Sequence, residues 1–275
     1  MQIIKGKKRR PRRIILYGPH GIGKSSWATK APHPLFLNLE NGLDDIGVDR
    51  TSLITDLDVF HGFISDLTQQ PHEYGTVVID TLDWLEKLVH KKVAAENSKH
   101  SIDEIPYYRG YLLCMPHWNF ILSSLENLRQ ARNMAIILLA HACAVKVEPP
   151  DGESYTRYEP DLHKEASPLL QEWADEVLFA GYKINKVAKD EGFNRKRHIA
   201  IGGDRIVYTC ERPTHLAKRR INMPDEIALD FPTYMHYVKL SYAEAEGGNG
   251  KNINGIVVDG SSKPKTEEEK EPVNV

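Results

Sequence analysis

Gly18-Pro19-His20-Gly21-Ile22-Gly23-Lys24-Ser25, standing directly after the apolar run Ile14-Ile15-Leu16-Tyr17, is the stretch that decides the fold. It satisfies G-x-x-x-x-G-K-[ST] at every fixed position. Glycines at these places let backbone N–H groups close around an anion, Lys24 supplies a point charge for the outer phosphates, and the Ser25 hydroxyl is a magnesium ligand. Pro19, His20 and Ile22 complete the loop. Ser25-Ser26-Trp27-Ala28-Thr29-Lys30 opens a helix, stopped by Pro32 and Pro34, whose N-terminal dipole adds to the pull on phosphate. The pattern predicts a nucleoside triphosphate, with Mg2+ on Ser25.

The chain has 275 residues, enough for one sizeable α/β domain with extensions. Its 36 Lys and Arg against 38 Asp and Glu give a net charge of -2, which makes no case for nucleic acid by itself. Cys114, Cys143 and Cys210 are widely spaced, lack a metal-ligand pattern and read as reduced cytoplasmic thiols. No apolar signal core follows Met1, and the longest apolar run is only Met134 to Ala140, so neither secretion nor a membrane span is predicted.

Residues 1–12, rich in Lys and Arg after Ile4, read as a basic flexible arm. From Glu246 to Val275 the Gly-, Ser- and Glu-rich composition reads as a flexible acidic tail. Between them, over residues 13–245, β-rich runs at Ile14 to Tyr17, Leu35 to Leu39, Thr76 to Ile79 and Ala135 to Ala140 alternate with helical patterns at Phe60 to Leu67, Leu82 to Ala95 and Trp118 to Arg132. That alternation predicts a mostly parallel central sheet flanked by helices. After a helix at Leu169 to Val177, the segments Glu176 to Lys186 and Arg197 to Cys210 read as antiparallel strands joined by a polar turn at Lys189 to Asn194. Lys146 to Ala166 reads as a long polar loop.

Open α/β sheets place ligands at the C-terminal ends of their strands, and each run ends in a polar residue there. Thr76-Val77-Val78-Ile79-Asp80 ends in the carboxylate expected beside magnesium; Asp80 or Thr81 capping the next helix is the plainer alternative. Glu40, after the second run, is placed to direct a water at the γ-phosphate, unless it is simply solvated. His141, after the fourth run, is placed to sense the γ-phosphate and pass its state to the following loop.

This ordering of loop, Glu40 followed by Asn41-Gly42-Leu43-Asp44, Asp80-Thr81 and His141 resembles the RecA family. It looks closest to the short phage-associated RecA-like ATPases of single-strand annealing and recombination, also described as AAA-type ATP-binding proteins. The resemblance implies a RecA-like P-loop fold, Glu40 as catalytic base and His141 as the γ-phosphate switch. Ala217-Lys218-Arg219-Arg220-Ile221-Asn222 is similar to the K-N-R-x-G segment of RadA-type and DnaB-type proteins, which makes Lys218 and Arg220 fingers acting on a neighbouring subunit's site. Arg219 and Asn222 depart from that segment, and a basic surface turn ahead of Pro224 is the alternative.

The resemblance also implies single-stranded DNA, a homo-oligomer in ring or filament form, and a single-strand binding protein as partners. DNA-facing candidates interleave basic and aromatic groups in two loops: Lys99, His100, Tyr107, Tyr108, Arg109 and Tyr111, then Lys146, Tyr155, Arg157, Tyr158, His163 and Lys164. Tyrosines that pack their rings are the competing explanation. Two further functions fit the phosphate loop: a P-loop kinase acting on a small molecule, and an assembly or loading protein that uses ATP as a slow switch.

Overall fold

In the computed structural model the described residues are 9–190 and 196–246. The expected basic arm up to residue 8, part of the turn at Lys189 to Asn194 and the expected tail beyond Glu246 lie outside them. Strands β1 (Arg13–Gly18), β2 (Pro34–Asn38), β3 (Asp49–Arg50), β4 (Thr76–Asp80), β5 (Ala135–Val147), β6 (Tyr155–Pro160), β7 (Glu176–Asp190), β8 (Lys196–Tyr208) and β9 (Glu226–Ala228) are joined in one sheet. The described residues also form helices α1 (Lys24–Ala28), α2 (Leu57–Gln69), α3 (Leu82–Glu96), α4 (Arg109–Leu113), α5 (Met115–Arg132), α6 (Ala166–Trp173) and α7 (Phe231–Glu246).

The strand order is β3-β2-β4-β5-β1-β7-β8-β9, with β6 hung on β5. From β3 to β7 every pairing is parallel, and β8 and β9 add antiparallel strands on the C-terminal side. The expected α/β class with a mostly parallel sheet and C-terminal antiparallel strands is borne out. Burial on both faces explains the unbroken apolar runs, because alternate residues feed opposite cores. Ile15 and Tyr17 of β1 join Ile136, Leu138, Leu85 and Trp118 on one face, whereas Ile14 and Leu16 join Trp27, Phe231 and Tyr234 on the other.

Four expectations need correction. His141 does not end its strand, because β5 continues to Val147 and pairs antiparallel with β6. The segment expected as a polar loop from Lys146 to Ala166 is therefore largely a β-hairpin arm, its ladder set by alternation along Tyr155–Pro160 that composition conceals. The helix expected to reach Val177 stops at Trp173, since Asp175 and Glu176 turn inward to arginines and Val177 pairs with Ile15.

Finally, Arg9 to Arg12 are docked rather than part of a flexible arm. The Arg12 guanidinium pairs with the fully buried Glu176, Arg129 donates to the Pro11 carbonyl at 2.9 Å, and Arg9 lies 5.5 Å from the ring centre of Tyr242. A carboxylate buried on a strand requires such a partner. Tyr234 completes it with a 3.1 Å hydrogen bond to Glu176.

Candidate nucleotide site

Gly18 ends β1 and passes so close to β7 that a Cβ there would lie 2.4 Å from the Ala180 carbonyl oxygen. Only glycine fits that crossing. Gly23 turns the chain into α1 at φ 109°, in the left-handed region. The loop is held from behind by α1, whose Trp27 meets Phe231 of α7 edge to face at 4.8 Å. α1 is a short helix of five residues, so its dipole offers an anion less than the loop amides and Lys24 can.

The Lys24 ammonium donates to the carbonyls of Gly18 and Pro19 at 3.0 and 3.1 Å. Burial lowers its pKa, opposed by the fields of Asp80, Glu40 and Asp83. Ser25 donates its hydroxyl to Asp80 Oδ2 at 2.9 Å. Burial lifts the Asp80 carboxyl to about 6, opposed by the Ser25 hydrogen bond and reinforced by the charge of Glu40. A hydroxyl and a buried carboxylate sharing one space are the hard oxygen donors that suit magnesium, so Ser25 and Asp80 fit that ion.

Glu40 sits two residues beyond β2, where Leu39 donates its N–H to the Asp80 carbonyl at 3.0 Å and locks the two strand ends together. Its carboxylate reaches Thr81 Oγ1 at 3.5 Å and His141 Nε2 at 3.7 Å. His141 lies opposite Gly18 in the sheet register. Its backbone N–H and Nδ1 both face the Asp83 carboxylate, at 3.2 and 3.0 Å. Burial opposes ionisation of Asp83, but hydrogen bonds from His141 and Thr81 hold it below the usual carboxylate range. An ionised Asp83 places the Nδ1 proton toward itself and leaves Nε2 for the cavity.

His20, Lys24, Ser25, Ser26, Glu40, Asp80 and His141 thus line one cavity of about 250 Å³. His20 stacks on His141 at 3.7 Å, with the rings 22° from parallel. His20, Glu40 and His141 bring ligand atoms within 4.8 Å of one another. Because the two rings are stacked and near-parallel, an ion in the plane of one lies out of the plane of the other unless His20 turns away.

Lys218 and Arg220 are not brought to the phosphate loop of their own chain. Lys218 bridges Val177 and donates to the carbonyls of Gln171, Glu172 and Ala174, closing the C-terminus of α6 at the opposite end of the sheet from Gly18. Arg220 meets Asp175 at 3.5 Å and remains half exposed.

Part of each candidate DNA loop converges on one surface. Tyr108 and His163 are joined at 2.6 Å between Oη and Nε2, Tyr111 stacks on His163 at 3.9 Å, and Lys164 lies 4.6 Å over the Tyr108 ring. Tyr107 projects beside them with 93% of its surface exposed. Tyr107 and Tyr108 both hold left-handed φ values, 59° and 61°, a conformation costly for bulky residues. Three other second-loop candidates have partners of their own: Arg157 pairs with Glu159 and Glu211, Lys146 with Glu148, and Tyr158 stacks on Phe179.

Helix α3 links this surface to the cavity, which the sequence reading missed. Asp83 in its first turn grips His141, and Glu86, one turn on, accepts the His163 N–H through both carboxylate oxygens at 3.0 Å. His90 then packs edge-on to Tyr111 at 5.5 Å. The only signal was polar residues at helical spacing beside the buried stripe Leu82, Leu85, Val89 and Val93.

The sequence profile of the AAA domain family matches residues 10–221. Among solved structures the chain is similar to the crystal structure of the RadB recombinase, with a TM-score of 0.40 and 12% identity over 72% of this chain and 80% of that one. No curated protein sequence matches it. Among the described residues, no helix is long and apolar enough to cross a membrane.

Proposed function

This chain belongs to the AAA domain family, and from that premise we propose that it hydrolyses ATP and couples the state of the γ-phosphate to single-stranded DNA. The observation that carries the coupling is α3, whose Asp83 holds His141 while its Glu86 holds the loop bearing His163. Lys24 and the loop amides hold the phosphates, and Ser25 and Asp80 hold magnesium, which when bound neutralises phosphate charge. Glu40 takes the proton of the attacking water. A change at His141 Nε2 on loss of the γ-phosphate moves Asp83, and α3 passes that motion to Tyr108, Tyr111, His163 and Lys164. There, aromatic faces stack with bases and the ammonium meets backbone phosphate.

In this reading the protein works as a homo-oligomer supporting annealing or recombination. Arg220, half exposed at the sheet's far end, reaches a neighbouring copy's nucleotide, whereas Lys218 stays in its helix-closing role. The test is ATP turnover and retention of a labelled oligonucleotide by wild type and by Tyr108→Ala combined with Lys164→Gln. Loss of DNA retention and of DNA-stimulated turnover is expected in the variant. Phosphate transfer to a metabolite instead of water would replace this reading with a kinase.

A further inference from the structure

The flank of the phosphate loop away from Glu40 carries a cation outside the P-loop motif. A Cβ built on Gly23 would lie 3.3 Å from Arg205 Nη1 and 3.7 Å from Leu229 Cδ2, so both side chains abut the glycine immediately before Lys24. Arg205 stands on β8 opposite Tyr182, and Leu229 donates its N–H to the Arg205 carbonyl at 3.1 Å, which fixes the two side chains beside each other. Arg205 is exposed, and its guanidinium has no carboxylate partner among the described residues. Charged neighbours on the same sheet edge behave differently: Lys183 pairs with Glu226, and Arg212 and Arg219 pair with Asp225.

Sheet order fixes which end of a nucleotide this flank would meet. Asp80 ends β4, His141 lies on β5 and Glu40 follows β2, all on one side of β1, and Arg205 comes from β8 on the other. With the γ-phosphate toward Glu40, the rest of the ligand runs toward β7 and β8. The geometry points to Arg205 as a second cationic contact, made within the same chain, for the α- and β-phosphates of a nucleoside polyphosphate, with Leu229 as the apolar wall for its ribose and base. A planar guanidinium suits this task because it bridges two non-bridging oxygens, which the Lys24 ammonium does as a point charge only. The contact exists in ADP as in ATP, so it sets nucleotide affinity rather than the hydrolytic step.

This inference rests on the phosphate loop binding a nucleotide, and Lys24→Ala separates the two claims. Titration of a fluorescent ADP into the full chain compares wild type, Arg205→Gln, Arg205→Lys and Lys24→Ala, with melting curves confirming that each is folded. Arg205→Gln is expected to weaken ADP by about tenfold or more, with Arg205→Lys between it and wild type. In turnover assays, KM for ATP rises by a larger factor than kcat falls. An ADP affinity of Arg205→Gln within about twofold of wild type, while Lys24→Ala loses binding, overturns the role of Arg205 and leaves the nucleotide site standing. Absence of binding by wild type overturns both.

Discussion

Asp80 shows how much a single side chain controls here. Its carboxyl, lifted to about 6 by burial, is neutral in part at mildly acid pH, and a magnesium ligand must be ionised. The affinity for magnesium nucleotide therefore weakens by about tenfold per pH unit below about 6, whereas metal-free nucleotide is affected far less; calorimetry across that range checks it. Glu40→Gln keeps the shape of the cavity and removes the base, so turnover falls about 10²- to 10⁴-fold with nucleotide still bound. Equal turnover in wild type and variant would remove Glu40 from the chemistry. Lys24, Ser25, Asp80, Glu40 and His141 were legible as candidates because a motif or the end of an apolar run marks each one. Asp83, Glu86 and Arg205 were not, since a charged residue inside a helix or strand looks like any solvated one until the fold gives it a neighbour.

Among the elements, α3 carries the account, and Glu86 is its pressure point. Burial raises the Glu86 carboxyl to about 7 against the pull of the His163 amide. Its folded pKa thus lies above the ordinary 4.5, so the stability it contributes is complete below about pH 4.5 and is lost as pH rises through about 7. Glu86→Gln keeps an acceptor for His163 without the charge. Its Tm is expected above that of wild type near pH 8, with the gap closing by about pH 5. A constant gap across that span would show that Glu86 is not the titrating group. The β5–β6 arm illustrates the opposite limit of sequence reading: Pro149, Pro150, Asp151 and Gly152 announce a turn, but with Glu148 and Glu153 beside it and Arg157 and Glu159 interleaved with Tyr155 and Tyr158, the return strand passes for a continuation of a polar loop.

At the scale of the molecule, two ties fasten the segment before β1 and helix α7 to one strand of the sheet: Arg12 with Glu176 and Tyr234 with Glu176. Arg12→Ala leaves a fully buried carboxylate short of its charge partner and is expected to cost about 3–5 kcal/mol in denaturant unfolding. A loss near zero would mean that Glu176 folds in its neutral form and needs no arginine. The sheet these ties secure sets β2, β4 and β5 on one side of β1 and its phosphate loop and β8 on the other, so that Glu40, Asp80 and His141 lie on one flank of the loop and Arg205 on the other. In the proposed mechanism, ATP hydrolysis in this cavity answers to DNA on the tyrosine and histidine surface. Its most direct test is the ATP hydrolysis rate of the full chain at low salt with and without single-stranded DNA, with Lys24→Ala as the blank. A rate raised by DNA and absent in Lys24→Ala is expected; a rate indifferent to DNA would overturn the coupling.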